Sequence, residues 1–220
     1  MIRVMVVDDH KLFRLGLRRM LADVKGIHVI GEADCGEAAV RLARAERPNI
    51  VLMDILMPGI GGIEATRRIA RLEMDIKVIA VTGCHENPFP MQMLRAGACG
   101  YLSKGVDRDE LVAAIRKVFL GRRYLSADIA QEVAASAFDQ TRESPFEQLS
   151  NREMQIMMMV VNCHKVNDIS EDLHLSPKTV NSYRYRIFEK LNVSSDVELA
   201  LMAVRHGMVI PQLNGMARAV

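Results

Sequence analysis

Five short runs of apolar, mostly β-branched residues punctuate the first 120 positions: Ile2–Val7, His28–Gly31, Ile50–Met53, Lys77–Val81 and Cys99–Leu102. Between them apolar positions recur at helical spacing. In Leu12–Leu21, residues Leu12, Leu15, Leu17, Met20 and Leu21 are apolar, whereas Arg14, Arg18 and Arg19 are not. Strands alternating with helices predict βαβ units and a parallel sheet. Ile50–Val51–Leu52–Met53 is apolar throughout, as a strand covered on both faces requires. The expectation is an α/β unit over residues 1–120, a five-stranded parallel doubly wound sheet with helices on both faces.

The pattern breaks at Gly121–Arg122–Arg123. Residues 121–146 read as a linker with a short helix, Ala127–Ala137 behind Ser126, before the polar stretch Asp139 to Pro145. From Leu149 onward no strand-like run appears. Helical segments are predicted near 151–162, 166–173, 177–190 and 196–206, so residues 147–210 form an all-α unit. Ser150 with Glu153 makes a capping box, and Ser176–Pro177 sets a capping serine before proline at the first helical position. Residues 211–220 are expected to fray.

A chain of 220 residues leaves room for two small domains. Lys plus Arg number 29 and Asp plus Glu 27, a formal charge of +2, which excludes coating nucleic acid by bulk charge. The positive charge is local instead. Residues 147–211 carry seven basic and eight acidic side chains, yet 178–190 carry four basic and one acidic. Cys35, Cys84, Cys99 and Cys163 have no metal-site spacing and read as reduced packing thiols. The longest apolar run, Ile156–Val161, is too short to span a bilayer, and Asp8 and Asp9 arrive too early for a signal peptide. The expectation is a cytoplasmic protein without a membrane partner.

Ligands of parallel α/β sheets bind beyond the carboxyl ends of the strands. There the chain places Asp8–Asp9 after the first strand, Asp54 after the third, Thr82 at the end of the fourth and Lys104 after the fifth. One aspartate in such a position is usually a helix cap. Three converging carboxylates instead call for a cation, and a few oxygen ligands open to water suit Mg²⁺.

These residues, with Asp54–Ile55–Leu56–Met57–Pro58 and Tyr101, resemble the receiver domain of bacterial two-component response regulators. The resemblance implies Asp54 as phosphoacceptor. Asp9, Asp54 and the Leu56 carbonyl would ligate Mg²⁺ directly, with Asp8 acting through water. Thr82 and Lys104 would hold the phosphoryl oxygens, and Tyr101 would be a switch aromatic that turns inward when Thr82 moves.

In the all-α unit, Asp168 to Asn181 reads as helix, turn, helix, with Ile169, Leu173, Leu175 and Val180 between the pair. Leu149 through Leu191 resembles the LuxR/NarL-type helix-turn-helix, on Ser176–Pro177–Lys178–Thr179–Val180 and Lys190–Leu191. Together the two resemblances imply a NarL/FixJ-class response regulator. Gly36–Glu37, Pro58–Gly59–Ile60–Gly61–Gly62 and the run Leu175–Leu191 are similar to its GacA/UvrY branch. That implies a hybrid sensor histidine kinase as partner, promoter DNA as target, transcription of small regulatory RNAs as output, and a homodimer when phosphorylated.

The resemblance puts Lys178, Asn181, Ser182 and Tyr185 nearest base edges, Lys178, Arg184, Arg186 and Lys190 on phosphates, and Thr179 and Tyr183 at the same interface. The helix after Ser195, with Val197, Leu199, Ala200, Met202 and Ala203, reads equally as dimer face or as domain core. Cys163 stands where relatives usually carry glycine, so Asn162 or His164 is expected to take the left-handed position, unless the turn differs.

Two other classes compete. A Mg²⁺-dependent phosphohydrolase with an aspartyl intermediate commonly carries Asp-x-Asp, but Asp54 is followed by Ile55–Leu56. A receiver acting through protein contacts alone would leave the basic helix without a task. Met154, Met157, Met158 and Met159 read as core filling, the six histidines receive no role, and Gly59, Gly61 and Gly62 form no phosphate fingerprint.

Overall fold

The structure, a computed structural model, describes residues 1–57, 59–72, 74–83, 89–138 and 145–206. Strands β1 (Ile2–Val7), β2 (Ile27–Ala33), β3 (Ile50–Met53), β4 (Lys77–Thr82), β5 (Gly100–Ser103) and β6 (Tyr124–Leu125) form one sheet in the order β2-β1-β3-β4-β5-β6, with every neighbouring pair parallel. Helices α1 (Lys11–Leu21), α2 (Gly36–Glu46), α3 (Gly61–Ala70), α4 (Phe89–Ala96) and α5 (Arg108–Phe119) connect the strands.

Alternate strand residues face opposite sides, and the core divides accordingly. Val4, Val6, Leu52, Ile79 and Val81 meet Leu17 and Leu21 of α1 and Leu111, Ile115 and Val118 of α5. Met5, Val7, Val51 and Met53 belong to the opposite cluster, with Ala39 and Ala43 of α2, Ile63 and Ile69 of α3, and Met93 of α4. The strand order reverses between β1 and β3, so a cleft opens beyond their carboxyl ends.

The sheet has six strands among the described residues, not five. Gly121 in a left-handed conformation (φ 80°) turns the chain after α5, and Tyr124 N–H then donates to the Cys99 carbonyl at 3.1 Å. A two-residue strand shows no period in sequence, which is why 124–125 reads as linker. Helix α6 (Ala127–Phe138) follows, with Ile129 buried in the sheet's second cluster.

A 3₁₀ turn, Pro145–Gln148, leads into α7 (Asn151–Val161), α8 (Val166–Asp172), α9 (Pro177–Leu191) and α10 (Asp196–Arg205). The capping box at Ser150 is formed, with Ser150 N–H donating to Glu153 at 2.7 Å and Glu153 N–H to Ser150 Oγ at 3.3 Å. Met154 and Met157 are buried, as core filling requires. Cys163 itself takes the left-handed position (φ 63°), whereas Asn162 stays at φ −85°. Cys163 N–H bonds the Val160 carbonyl and His164 N–H the Met159 carbonyl, closing the C-terminal motif that glycine normally serves. The expected tail, 211–220, lies outside the described residues, and no helix among the described residues is long and apolar enough to cross a membrane.

The all-α unit docks on the sheet unit. Gln155 of α7 donates Nε2–H to the Met57 carbonyl at 2.5 Å, and Met154 and Gln155 close a cleft whose other wall is Ile55, Met57, Ile60, Ile63 and Phe89. The apolar cluster under α2–α4 continues without a break into α7–α10.

Candidate functional site

At the switch point the backbone sets three acids in place. Asp54 N–H bonds the Val7 carbonyl at 2.8 Å and Asp8 N–H the Ala33 carbonyl at 3.1 Å, so both acids continue the sheet's ladder one residue beyond the strands. Both are almost wholly buried, at 1% and 3% exposure. Lys104 N–H bonds the Thr82 carbonyl at 2.9 Å, which aims its side chain across the cleft. Its Nζ lies 2.8 Å from Asp8 Oδ2 and 2.9 Å from Asp54 Oδ2, and 4.8 Å from the Phe13 ring centre.

The electrostatics follow from this crowding. Burial, opposed by Lys104 and aided by the Asp8 charge, pushes the Asp54 carboxyl up to about 6. Burial also raises Asp9, against the nearby His10. For Lys104 burial works downward, but Asp54 and Asp8 outweigh it and hold the ammonium above its ordinary value. Two buried carboxylate oxygens, Asp8 Oδ2 and Asp9 Oδ1, have no hydrogen bond; each faces a cationic or titratable nitrogen out of hydrogen-bond alignment.

Asp8, Asp9, His10 and Asp54 can each aim a ligand atom within 4.8 Å of the others. The neighbouring loop supplies a further oxygen. The Ile55 carbonyl accepts from Gly62 N–H at 2.9 Å and the Met57 carbonyl from Gln155. Among the described residues the Leu56 carbonyl between them has no such donor. Hard oxygen donors with unsatisfied lone pairs fit a divalent cation of the Mg²⁺ type.

The site residues expected from sequence thus fall in one place, with two qualifications. Thr82 is buried at its strand end. Tyr101 is already inward, at 0% exposure, because β6 and α6 cover the edge of β5: Leu125 pairs with Tyr101 and Ser126 N–H bonds the Tyr101 carbonyl. Sequence reasoning missed Arg14 and His10. Arg14 Nη1 donates to the carbonyls of Asp8 (2.7 Å) and Asp9 (3.3 Å), while its Nε faces Glu32 at 3.4 Å. His10 lies 2.8 Å from Asp9, and its place immediately after the acid pair was the available signal.

The second candidate surface is α9. Ser176 Oγ accepts Thr179 N–H at 3.1 Å and contacts Thr179 Oγ1 at 2.8 Å, so Thr179 serves the cap. Arg184 is clamped by Asp196 and donates to Asn181 at 2.9 Å. Lys190 turns inward to Glu153 at 2.6 Å and to the Gln148 carbonyl at 3.2 Å. Tyr183 is half-buried under Arg186, 5.8 Å from its ring centre. The open face is therefore Lys178, Ser182, Tyr185 and Arg186, spaced so that they share one side of the helix. On α10, Leu199 and Ala203 are fully buried core, whereas Val197, Leu201 and Val204 face outward at 69%, 54% and 39% exposure.

Comparison with known proteins divides the chain the same way. A family described as "Response regulator receiver domain" matches residues 4–116, and one described as "Bacterial regulatory proteins, luxR family" matches 147–203. The chain is a response regulator. It is 60% identical over 210 residues to the response regulator GacA of Pseudomonas aeruginosa, covering 95% of this chain and 98% of that one. It is 57% identical over 209 residues to the response regulator UvrY of Escherichia coli K12, covering 94% and 96%. The solved RcsB–DNA complex shares its fold, at 21% identity and a TM-score of 0.57, over 92% of this chain and 98% of that one. The regulator thus belongs to the NarL/FixJ class of two-component transcription regulators rather than to the phosphohydrolases.

Proposed function

We propose that the regulator is activated by phosphoryl transfer from a hybrid sensor histidine kinase to Asp54, in the cytoplasm, and then binds promoter DNA as a homodimer. The observation that carries this reading is the convergence of Asp8, Asp9, Asp54 and Lys104 in one buried cleft. The receiver would take residues 1–120, the linker 121–146 and the DNA-binding domain 147–210.

A carboxylate oxygen of Asp54 attacks the phosphorus as the bond to the donor nitrogen breaks; no base is needed, and positioning with charge neutralisation carries the step. Asp9, Asp54 and the Leu56 carbonyl would hold Mg²⁺ directly and Asp8 through water. That ion supplies positive charge between the attacking oxygen and the transferred group. Lys104, already on Asp54, can follow the new charge, and the Thr82 hydroxyl can donate to it. Inward Tyr101 then stabilises the packing that accompanies Thr82, a population shift between two arrangements.

On DNA, Lys178, Ser182 and Tyr185 would meet base edges and Arg186 a phosphate, while Arg184, Asn181, Thr179, Tyr183 and Lys190 brace the helix. Val197, Leu201 and Val204 would pair two copies. The similarity to GacA and UvrY supports small regulatory RNA genes as the targets.

The test is incubation with acetyl phosphate and Mg²⁺. Wild type should acquire one hydroxylamine-sensitive phosphoryl group and Asp54→Asn none, as read by intact mass. Full labelling of Asp54→Asn would refute the site.

A further inference from the structure

The sequence features resembling the GacA/UvrY branch meet at one place in the fold. The Glu37 carboxylate accepts Ile60 N–H at 3.0 Å and closes over Gly59, which is left-handed at φ 79°. A Cβ at Gly62 would collide with the Asp54 carbonyl, so glycine lets α3 start directly against the phosphoacceptor's backbone. The β3–α3 loop is therefore held from the α2 side by its own domain. From the other side it is held by α7 of the DNA-binding domain.

That second grip is specific. Gln155 is 8% exposed, and its amide donates to the Met57 carbonyl. Arg152 Nη1 donates to Gln155 Oε1 at 2.7 Å and Arg152 Nη2 to the Leu173 carbonyl at 2.9 Å, which fixes the direction of the Gln155 amide. Met57 has a fully buried side chain and a bonded carbonyl, so it cannot rotate freely. With Ile55 also bonded, the Leu56–Met57 peptide plane is set, and the Leu56 oxygen is the one left without a donor among these three.

We propose that Gln155, from the DNA-binding domain, is a positioning residue for the receiver's divalent-cation site: by locking Met57 it orients the Leu56 carbonyl for the ion. This rests on the Mg²⁺ reading of the acidic cleft. A loop ordered before the ion arrives loses less freedom on binding, so the docked regulator takes up Mg²⁺ more tightly than an undocked one. Linkage makes the effect reciprocal: Mg²⁺ strengthens the seating of α7 on the receiver by the same factor. The contact leaves Lys178, Ser182, Tyr185 and Arg186 exposed, so its role is to tune the cleft rather than to cover the reading helix.

The test titrates Mg²⁺ alone into the unphosphorylated full-length protein by calorimetry. Gln155→Met, which keeps the length and removes the donor, should raise the Mg²⁺ Kd about two- to tenfold, the range for one net hydrogen bond. Arg152→Met should shift it in the same direction by less, and guards against a poorly folded first variant. Mg²⁺ should slow amide hydrogen exchange in the first turns of α7 in wild type but not in Gln155→Met, a change that a purely structural role would not produce. Equal Kd values in folded variants and wild type would overturn the role of Gln155 alone. Absence of Mg²⁺ binding by wild type would overturn the cation site itself.

Discussion

Asp54 shows how a single buried carboxylate sets the terms for the fold around it. Its folded-state value of about 6 lies above the ordinary 3.8, so the folded chain holds this proton more tightly than the unfolded chain. Below about pH 4 the group is protonated in both states and carries no penalty. Between about pH 4 and 6 the unfolded chain alone ionises, and above 6 the full penalty applies. Asp54→Asn removes a charge that metal-free folding must bury. In EDTA at pH 7.5 the variant should melt at least about 2 °C above wild type, and the gap should close near pH 4. A gap of the same size at both pH values would show that Asp54 ionisation is not its origin. At this scale the sequence exposed Asp8, Asp9, Asp54, Thr82 and Lys104, because strand ends are visible as the ends of apolar runs. Arg14 and Gln155 were not legible. Each sits on a helix, and its hydrogen bond reaches a backbone carbonyl whose orientation no periodicity encodes.

Among elements, α7 ends against its residue type. Cys163 occupies a left-handed position that costs a residue with a Cβ about 1–2 kcal/mol, part of which glycine would return as unfolded-chain entropy. Cys163→Gly should therefore raise the stability of the regulator by about 0.5–1 kcal/mol in urea unfolding. An unchanged or lower midpoint would mean that the Cys163 side chain contributes packing that offsets the strain. The strands and most helices were legible from spacing, but two features were not. β6 is too short to carry a period. Along α10 two apolar stripes run side by side, and periodicity alone could not say that Leu199 and Ala203 point inward while Leu201 and Val204 point out.

For the whole molecule, the arrangement of charge decides how DNA binding responds to salt. Lys178 and Arg186 stand free, whereas Lys190 is held by Glu153, whose carboxyl it draws below the usual range against the effect of burial. Lys178→Ala with Arg186→Ala should weaken promoter binding and reduce the slope of log affinity against log salt by about two. Lys190→Met should leave that slope unchanged while lowering stability. A loss of slope in Lys190→Met equal to that of the double variant would place Lys190 on the phosphates after all. How the two domains sit together was not legible, since α7's amphipathic pattern reads the same whether its partner is α9 or the receiver.

The apolar interior that runs from Met5 in the first strand to Ala203 in the last helix has a bearing on how the chain ages and fails. A docked protein built around one shared interior has no half that can come apart quietly. A flaw introduced beside the sheet is felt in the helical half, and damage to the helices loosens the sheet. Such a molecule is handed to cellular quality control whole rather than by halves.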